Sequence, residues 1–388
     1  MCSVRWKPVV ALADLSSPWR EPNPRESASR SSRVLVTVLA ILALSSPATA
    51  HQDLPSSCDR ADPATCLYTS DLVYDVGEVD GVQLTDTTRD NYEIRLVIRY
   101  PVGAPAPRPV VIWHHGGSAS PRGATRSEEW SRNLAAAGYV VVHPSRTPIA
   151  DPTPFRAECR DNGFEVPDEC VAWVTQNRYG PQNTHFLIDH LSEVEALDPA
   201  LAGMLDADKI AVAGHSAGST SVLANAGAWQ QWEPGAPRYD ERNDAAIAFL
   251  ATGVQGPMYA GFRSGFQSPG THRAIGEHSF VGIDRPFMFI TGVGDETGEP
   301  PEARVTAWLT SSPGDKALLW DTEAEALHET MDIDRCDGSL RANHCTWIGS
   351  AGLAFLDAVV RQRPEAEEWM RSNALEVLSG GAIELHRR

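Results

Sequence analysis

Gly214-His215-Ser216-Ala217-Gly218 is a serine framed by two glycines. The apolar run Ile210-Ala211-Val212-Ala213 precedes it and Ser219-Thr220-Ser221-Val222-Leu223-Ala224 follows, which predicts a strand, a tight turn and a helix start. Such a turn holds the serine backbone in a sparsely populated conformation. Side chains at Gly214 and Gly218 would collide where the helix crosses back over the strand. The Ser216 hydroxyl would then stand over a helix N-terminus, whose dipole and free N–H groups favour a developing oxyanion. Those are the requirements of a serine nucleophile.

A serine hydroxyl is almost fully protonated at neutral pH, so it needs a base, and the base needs an acid to fix its tautomer. In this arrangement the acid and then the base follow the serine along the chain. Asp295 fits the acid, because it follows the predicted strand 286–292 by a Gly-Val-Gly-Asp turn. Glu296, Glu299 and Asp321 compete with it. His328, eight residues beyond Trp320, fits the base, and His344 is the alternative. His272 and His278 precede Asp295 and break the order. For the oxyanion, one N–H comes from Ala217. The other comes from the loop His114-His115-Gly116-Gly117-Ser118, where Gly117 is the preferred donor, Ser118 the alternative, and His115 a brace. Trp113, Ser118, His215, Gln255 and Met258 are candidate substrate contacts, with Tyr259, Phe262 and Phe266 further aromatic candidates. Asp332, Asp334 and Asp337 resemble part of a calcium loop but lack its glycine and closing glutamate. The chemistry requires no metal and no organic cofactor.

The elements that must position these groups alternate. Strands are predicted over 72–84, 92–100, 109–114, 138–143, 208–213, 245–250, 286–292 and 317–320, the last being the final strand. Helices are predicted over 127–137, 184–197, 301–310 and 346–361, with a terminal helix within 365–378. This alternation predicts an α/β fold, with a mostly parallel central sheet covered by helices on both faces. Residues 147–180 and 252–283 read as irregular, the former as a loop insertion. A single catalytic domain is expected over 51–388, with 365–388 as a C-terminal tail.

The chain has 388 residues and a formal charge of −18. Residues 1–50 carry six basic and three acidic side chains, so the remainder carries −21. That acidity argues against nucleic acid and anionic lipid surfaces as partners. The apolar run 34–44, with Arg30 and Arg33 before it and Ala48-Thr49-Ala50 after it, reads as a secretory signal, too short to span a bilayer. A secreted or periplasmic location follows, with no stable membrane insertion. Six cysteines lie beyond that segment, in three close pairs. Proximity favours the disulfides Cys58–Cys66, Cys159–Cys170 and Cys336–Cys345 among fifteen possible connectivities.

With these residues in view, the chain resembles the α/β-hydrolase superfamily. More narrowly, it is similar to secreted serine esterases described as predicted dienelactone hydrolases, related to plasma-type platelet-activating factor acetylhydrolases. The matching segments are 110–117, 134–141, 201–206, 210–228, 279–295 and the surroundings of His328. True dienelactone hydrolases use a cysteine nucleophile, whereas this chain has Ser216. The resemblance implies the α/β-hydrolase fold and acyl-ester hydrolysis through Ser216, His328 and Asp295, by way of an acyl-enzyme. The expected substrate is a small-molecule or polymeric ester. A polyester hydrolase and a phospholipid acetylhydrolase share this chemistry, and a catalytically silent binding protein or a serine peptidase would share the fold. Acyl chain length, alcohol group and oligomeric state are left open.

Overall fold

The computed structural model describes residues 66–117, 120–161, 171, 178–228, 247–254, 280–296, 300–334, 336 and 341–388. All of them belong to one compact unit, Leu54–Arg388. The proposed signal segment and Cys58, Ser118, Cys170, Gln255, Met258, Tyr259, Phe262, Phe266, His272, His278, Glu299 and Asp337 lie outside the described residues.

The strands are β1 (Val76–Asp86), β2 (Tyr92–Pro101), β3 (Arg108–His114), β4 (Val140–Pro144), β5 (Leu205–His215), β6 (Ala248–Thr252), β7 (Phe287–Gly292), β8 (Lys316–Asp321) and β9 (Ile383–Arg387). They form one sheet in the order β1-β2-β4-β3-β5-β6-β7-β8-β9. The six strands from β4 to β8 in that order run parallel, and antiparallel pairings add β1 and β2 at one end and β9 at the other. The helices are α1 (Glu128–Ala136), α2 (Thr153–Asp161), α3 (Gly180–Asp189), α4 (Leu191–Glu195), α5 (Ala217–Asn225), α6 (Pro301–Arg304), α7 (Thr306–Thr310), α8 (Arg341–Val359), α9 (Pro364–Arg371) and α10 (Ala374–Leu378).

The central strands read as continuous apolar runs because both sheet faces are covered. Val111 and Trp113 of β3 join one cluster, with Trp130 and Leu134 of α1 and Ile348, Ala351 and Phe355 of α8. Val110 and Ile112 join another, with Leu187 of α3 and Leu191 and Val194 of α4. A third gathers Phe249, Phe287 and Phe289 against Val222 and Leu223 of α5. This is the mostly parallel α/β sheet, helix-covered on both faces, that the alternation predicts.

Several expectations are corrected. Trp320 does not end the last strand, and 365–388 is not a tail. Residues 364–378 form α9 and α10, and β9 pairs with β8 along its whole length. Ile383 and Leu385 are buried there, and the pairing covers what would otherwise be an exposed sheet edge. The insertion 147–180 is not wholly irregular, since α2 lies within it. The helix predicted over 184–197 is broken at His190 into α3 and α4. The helix over 301–310 is divided at Val305 into α6 and α7.

From β3 the chain passes to β4 on one side, then returns to place β5 on the other. The strand order therefore reverses between β3 and β5. In open sheets, ligands bind in the crevice beyond the carboxyl ends of the strands at such a point. Ser216 leaves the end of β5, and Gly116 and Gly117 lie just beyond the end of β3.

Candidate active site

Ser216 occupies the junction of β5 and α5 with φ 54° and ψ −121°. That conformation is strained for any residue with a side chain, and it persists because its surroundings over-determine it. The Ser216 N–H donates to Thr252 O at 3.0 Å, and its carbonyl accepts from the Ser219 N–H at 2.8 Å. A Cβ at Gly218 would stand 2.1 Å from His114 O, so the end of β3 and the first turn of α5 close together only without a side chain there. Ala217 opens α5, so its N–H has no acceptor within the helix.

Asp295 and His328, the candidate acid and base, come from two neighbouring loops. Asp295 follows β7, fully buried, and His328 opens a short turn, His328–Asp332, after β8. His328 Nδ1 lies 2.6 Å from Asp295 Oδ1. Since an ionised carboxylate only accepts, Nδ1 carries the proton and Nε2 is left as the acceptor. That Nε2 is buried and has no hydrogen-bond partner among the described residues. The Thr291 hydroxyl donates to the other Asp295 oxygen at 2.8 Å. Arg304 Nε lies 3.3 Å from Oδ1, an ion pair without hydrogen-bond alignment. Burial works to raise the Asp295 pKa, but the hydrogen bond and charge of His328, the charge of Arg304 and the Thr291 hydroxyl outweigh it. The carboxyl is held below its ordinary range.

The end of β6 and the residue after it touch both Ser216 and His328. Thr252 holds the Ser216 N–H, and the His328 ring packs beside Gly253, where a Cβ would stand 2.8 Å from Cε1. His215 completes this packing. Its Nε2–H donates to His328 O at 3.0 Å, and its Nδ1 lies 3.6 Å from Asp332 Oδ2. Burial lowers its pKa, with Asp332 opposing. His215 therefore braces the turn that carries His328, a role invisible in the pentapeptide itself.

On the β3 side, a Cβ at Gly116 would stand 3.2 Å from Ser216 Cβ, so this backbone runs close to the nucleophile. His115 Nδ1–H donates to Gly116 O at 2.8 Å, and its Nε2 accepts the Arg146 N–H at 3.2 Å. Burial, with the Arg146 charge beside it, holds His115 neutral, well below the usual imidazole range. Arg126 Nη1 also donates to Gly116 O, at 3.1 Å, and Arg146 Nη2 donates to Gly117 O at 2.7 Å. In a trans peptide the N–H points opposite to the carbonyl before it, so the Gly117 N–H faces away from His115 and Arg126. His115 is thus a brace, as its place in the sequence predicts. Arg146, fully buried, is a support the sequence reading missed.

Trp113 is fully buried and stacks on Trp130 with ring centroids 5.2 Å apart. Its continuous apolar strand conceals which face it takes. Asp332 and Asp334 serve protein contacts: Asp332 faces His215, and Asp334 Oδ1 accepts the Glu129 N–H at 2.9 Å. Among the described residues, no group of three or more His, Cys, Asp or Glu is placed to hold a metal ion.

His344, the alternative base, is held at both nitrogens. Nδ1 lies 2.6 Å from Asp321 Oδ2 and Nε2 3.1 Å from Glu323 Oε2. Burial works to lower its pKa, but the hydrogen bonds and charges of Asp321 and Glu323 outweigh it and raise it. Asp321, a competitor for the acid, is thereby paired with His344 and not with His328. The raised pKa has a stability consequence. The contribution is complete below the unfolded imidazole pKa of about 6.5 and is lost as pH rises through the higher folded value. Thermal melts of His344→Gln should show a lowered melting temperature in acidic buffer that converges on wild type in alkaline buffer. A constant offset across that range would contradict the pairing.

Cys336 and Cys345 form a disulfide with Cα atoms 6.0 Å apart, tying the segment after the His328 turn to α8. Cys66 and Cys159 are also disulfide-bonded, while Cys58 and Cys170 lie outside the described residues. The double variant Cys336→Ser, Cys345→Ser should lose about 2.5–3 kcal/mol of unfolding free energy in urea titrations, the value for a loop of about ten residues. An unchanged midpoint and slope would show that α8 packing alone holds the turn.

No family model and no curated protein matches this chain. Among the described residues, no helix is long and apolar enough to cross a membrane.

Proposed function

We propose that this chain is a secreted or periplasmic serine hydrolase of carboxylic esters, built on the α/β-hydrolase fold. The observation that carries the reading is the strained Ser216 backbone at the β5–α5 junction beside a buried His328–Asp295 pair in the tautomer a general base requires. The strand-order reversal between β3 and β5 supports it by setting both loops at one crevice.

In this reading the Ser216 hydroxyl attacks the ester carbonyl and its proton passes to His328 Nε2. Asp295 stabilises the imidazolium that forms, while the Gly117 and Ala217 N–H groups receive the oxyanion. The imidazolium protonates the departing alcohol, leaving an acyl group on Ser216. A water molecule then gives a proton to His328 and attacks that acyl group, and as the acyl bond to Ser216 Oγ breaks the proton returns from His328 to Ser216 and the carboxylic acid is released. The acid supplies position and charge only, and no cofactor enters a step.

A panel of p-nitrophenyl esters of increasing acyl length, a polyester film and an oxidised phospholipid tests the reading and narrows the substrate. Turnover of at least one class, lost in Ser216→Ala, is the expected result. No turnover of any of them by the folded protein would leave a binding protein as the better account.

A further inference from the structure

The turn between β1 and β2 borders a cavity of about 580 Å³ that does not include Ser216, Asp295 or His328. We propose that it binds a monocarboxylate carried on an aromatic ring. The inference begins with Arg89. Asp86 Oδ2 accepts its Nε–H at 2.6 Å, and Asp86 Oδ1 is fixed in turn by the Thr88 N–H and hydroxyl. The guanidinium is therefore clamped along one edge. Its side chain is only 10% exposed, yet both Nη1 and Nη2 are buried with no hydrogen-bond partner among the described residues. Buried donors of this kind are costly unless a ligand meets them. A paired set of guanidinium N–H groups matches the two oxygens of a carboxylate.

The walls identify what the carboxylate is attached to. The Arg89 guanidinium lies 4.9 Å from the Tyr92 ring centroid and 5.2 Å from that of Tyr179. Tyr179 meets Tyr92 edge-on at 4.7 Å and Phe155 edge-on at 6.0 Å. All four side chains line the cavity. Thr147 lines it too, and its buried hydroxyl has no partner among the described residues, giving one more donor. A volume of this size is ordinary for a small-molecule site, and aromatic walls favour a flat apolar body.

The charges select a single negative charge over several. Arg89 and Arg178 line the cavity, but so do Asp90, Glu93 and Asp151, all exposed. Three acids at the mouth repel a phosphate dianion more than a lone carboxylate seated on Arg89. The site does not depend on the ester-hydrolysis reading, since none of its residues belongs to the Ser216 machinery.

Isothermal titration of the full chain with benzoate, and separately with inorganic phosphate, tests the proposal. Saturable benzoate binding is expected, with phosphate weaker. Arg89→Gln should weaken benzoate by about tenfold or more. Because that variant leaves Asp86 without its partner and can fail to fold, Ala150→Trp provides a second arm. Ala150 is exposed, lines the cavity and takes no part in the Arg89–Asp86 pair, so an indole there is expected to narrow the cavity and leave that pair intact. It should weaken benzoate comparably and keep the wild-type melting temperature. No saturable benzoate binding, phosphate binding the tighter, or wild-type benzoate affinity in either folded variant overturns the proposal.

Discussion

The Ser216→Ala variant is expected to lose about a millionfold in kcat toward its best ester, the scale seen when a triad nucleophile is removed. It should melt near the wild-type temperature. Ser216 is held by backbone hydrogen bonds to Thr252 and Ser219, which alanine preserves. Alanine also needs no larger space at the strained position, so the loss would report chemistry and not folding. A residual rate above water is expected, because the Gly117 and Ala217 donors and the crevice remain. Retention of even a tenth of the activity would remove Ser216 from the mechanism.

The second large effect is expected at Asp295, the proposed acid. Asp295→Asn should lower kcat by about ten-thousandfold with little change in KM. The amide places an N–H or a neutral oxygen where His328 Nδ1–H now meets a carboxylate at 2.6 Å. The histidine can then turn its proton toward Ser216, which is the wrong tautomer for a base. Asp321→Asn supplies the contrast. It breaks the buried contact with His344 and should lower stability while leaving kcat within about threefold, as expected of a group that does not touch the base. Reversal of the two outcomes would exchange the roles of Asp295 and Asp321. The Asp295 carboxyl also predicts acid sensitivity. Its folded pKa is depressed, so its stabilisation is present above the unfolded value near 3.9 and disappears as pH falls through the lower folded one.

The arrangement of the candidate site was more legible in the sequence than the packing around it. The elbow carries its own local signal, because the glycines, the strand before and the helix after all serve one backbone conformation. Asp295 and His328 were legible for a related reason: each follows a predicted strand, and in a parallel sheet the loops after strands gather along one edge. The face that Trp113 takes was not legible, because a strand buried on both faces shows no alternation to reveal it. β9 was missed although Ile383 and Leu385 do alternate with polar neighbours. Five residues are too few to distinguish a strand from a tail, and pairing with β8 is a long-range fact. His215, Thr291, Arg146 and Arg304 act through contacts between loops distant in sequence, and nothing in their local context announces them. Arg89 belongs with them, since only the assembled cavity shows two guanidinium nitrogens without hydrogen-bond partners among the described residues.

Covalent labelling would report directly on whether Ser216 is an activated nucleophile. The protein would be treated with a fluorophosphonate and digested, and the modified peptide located by mass spectrometry. A single adduct on Ser216 is expected, formed rapidly in wild type and hardly at all in His328→Ala. No adduct on the folded protein, an adduct on another serine, or equal labelling in His328→Ala would contradict it.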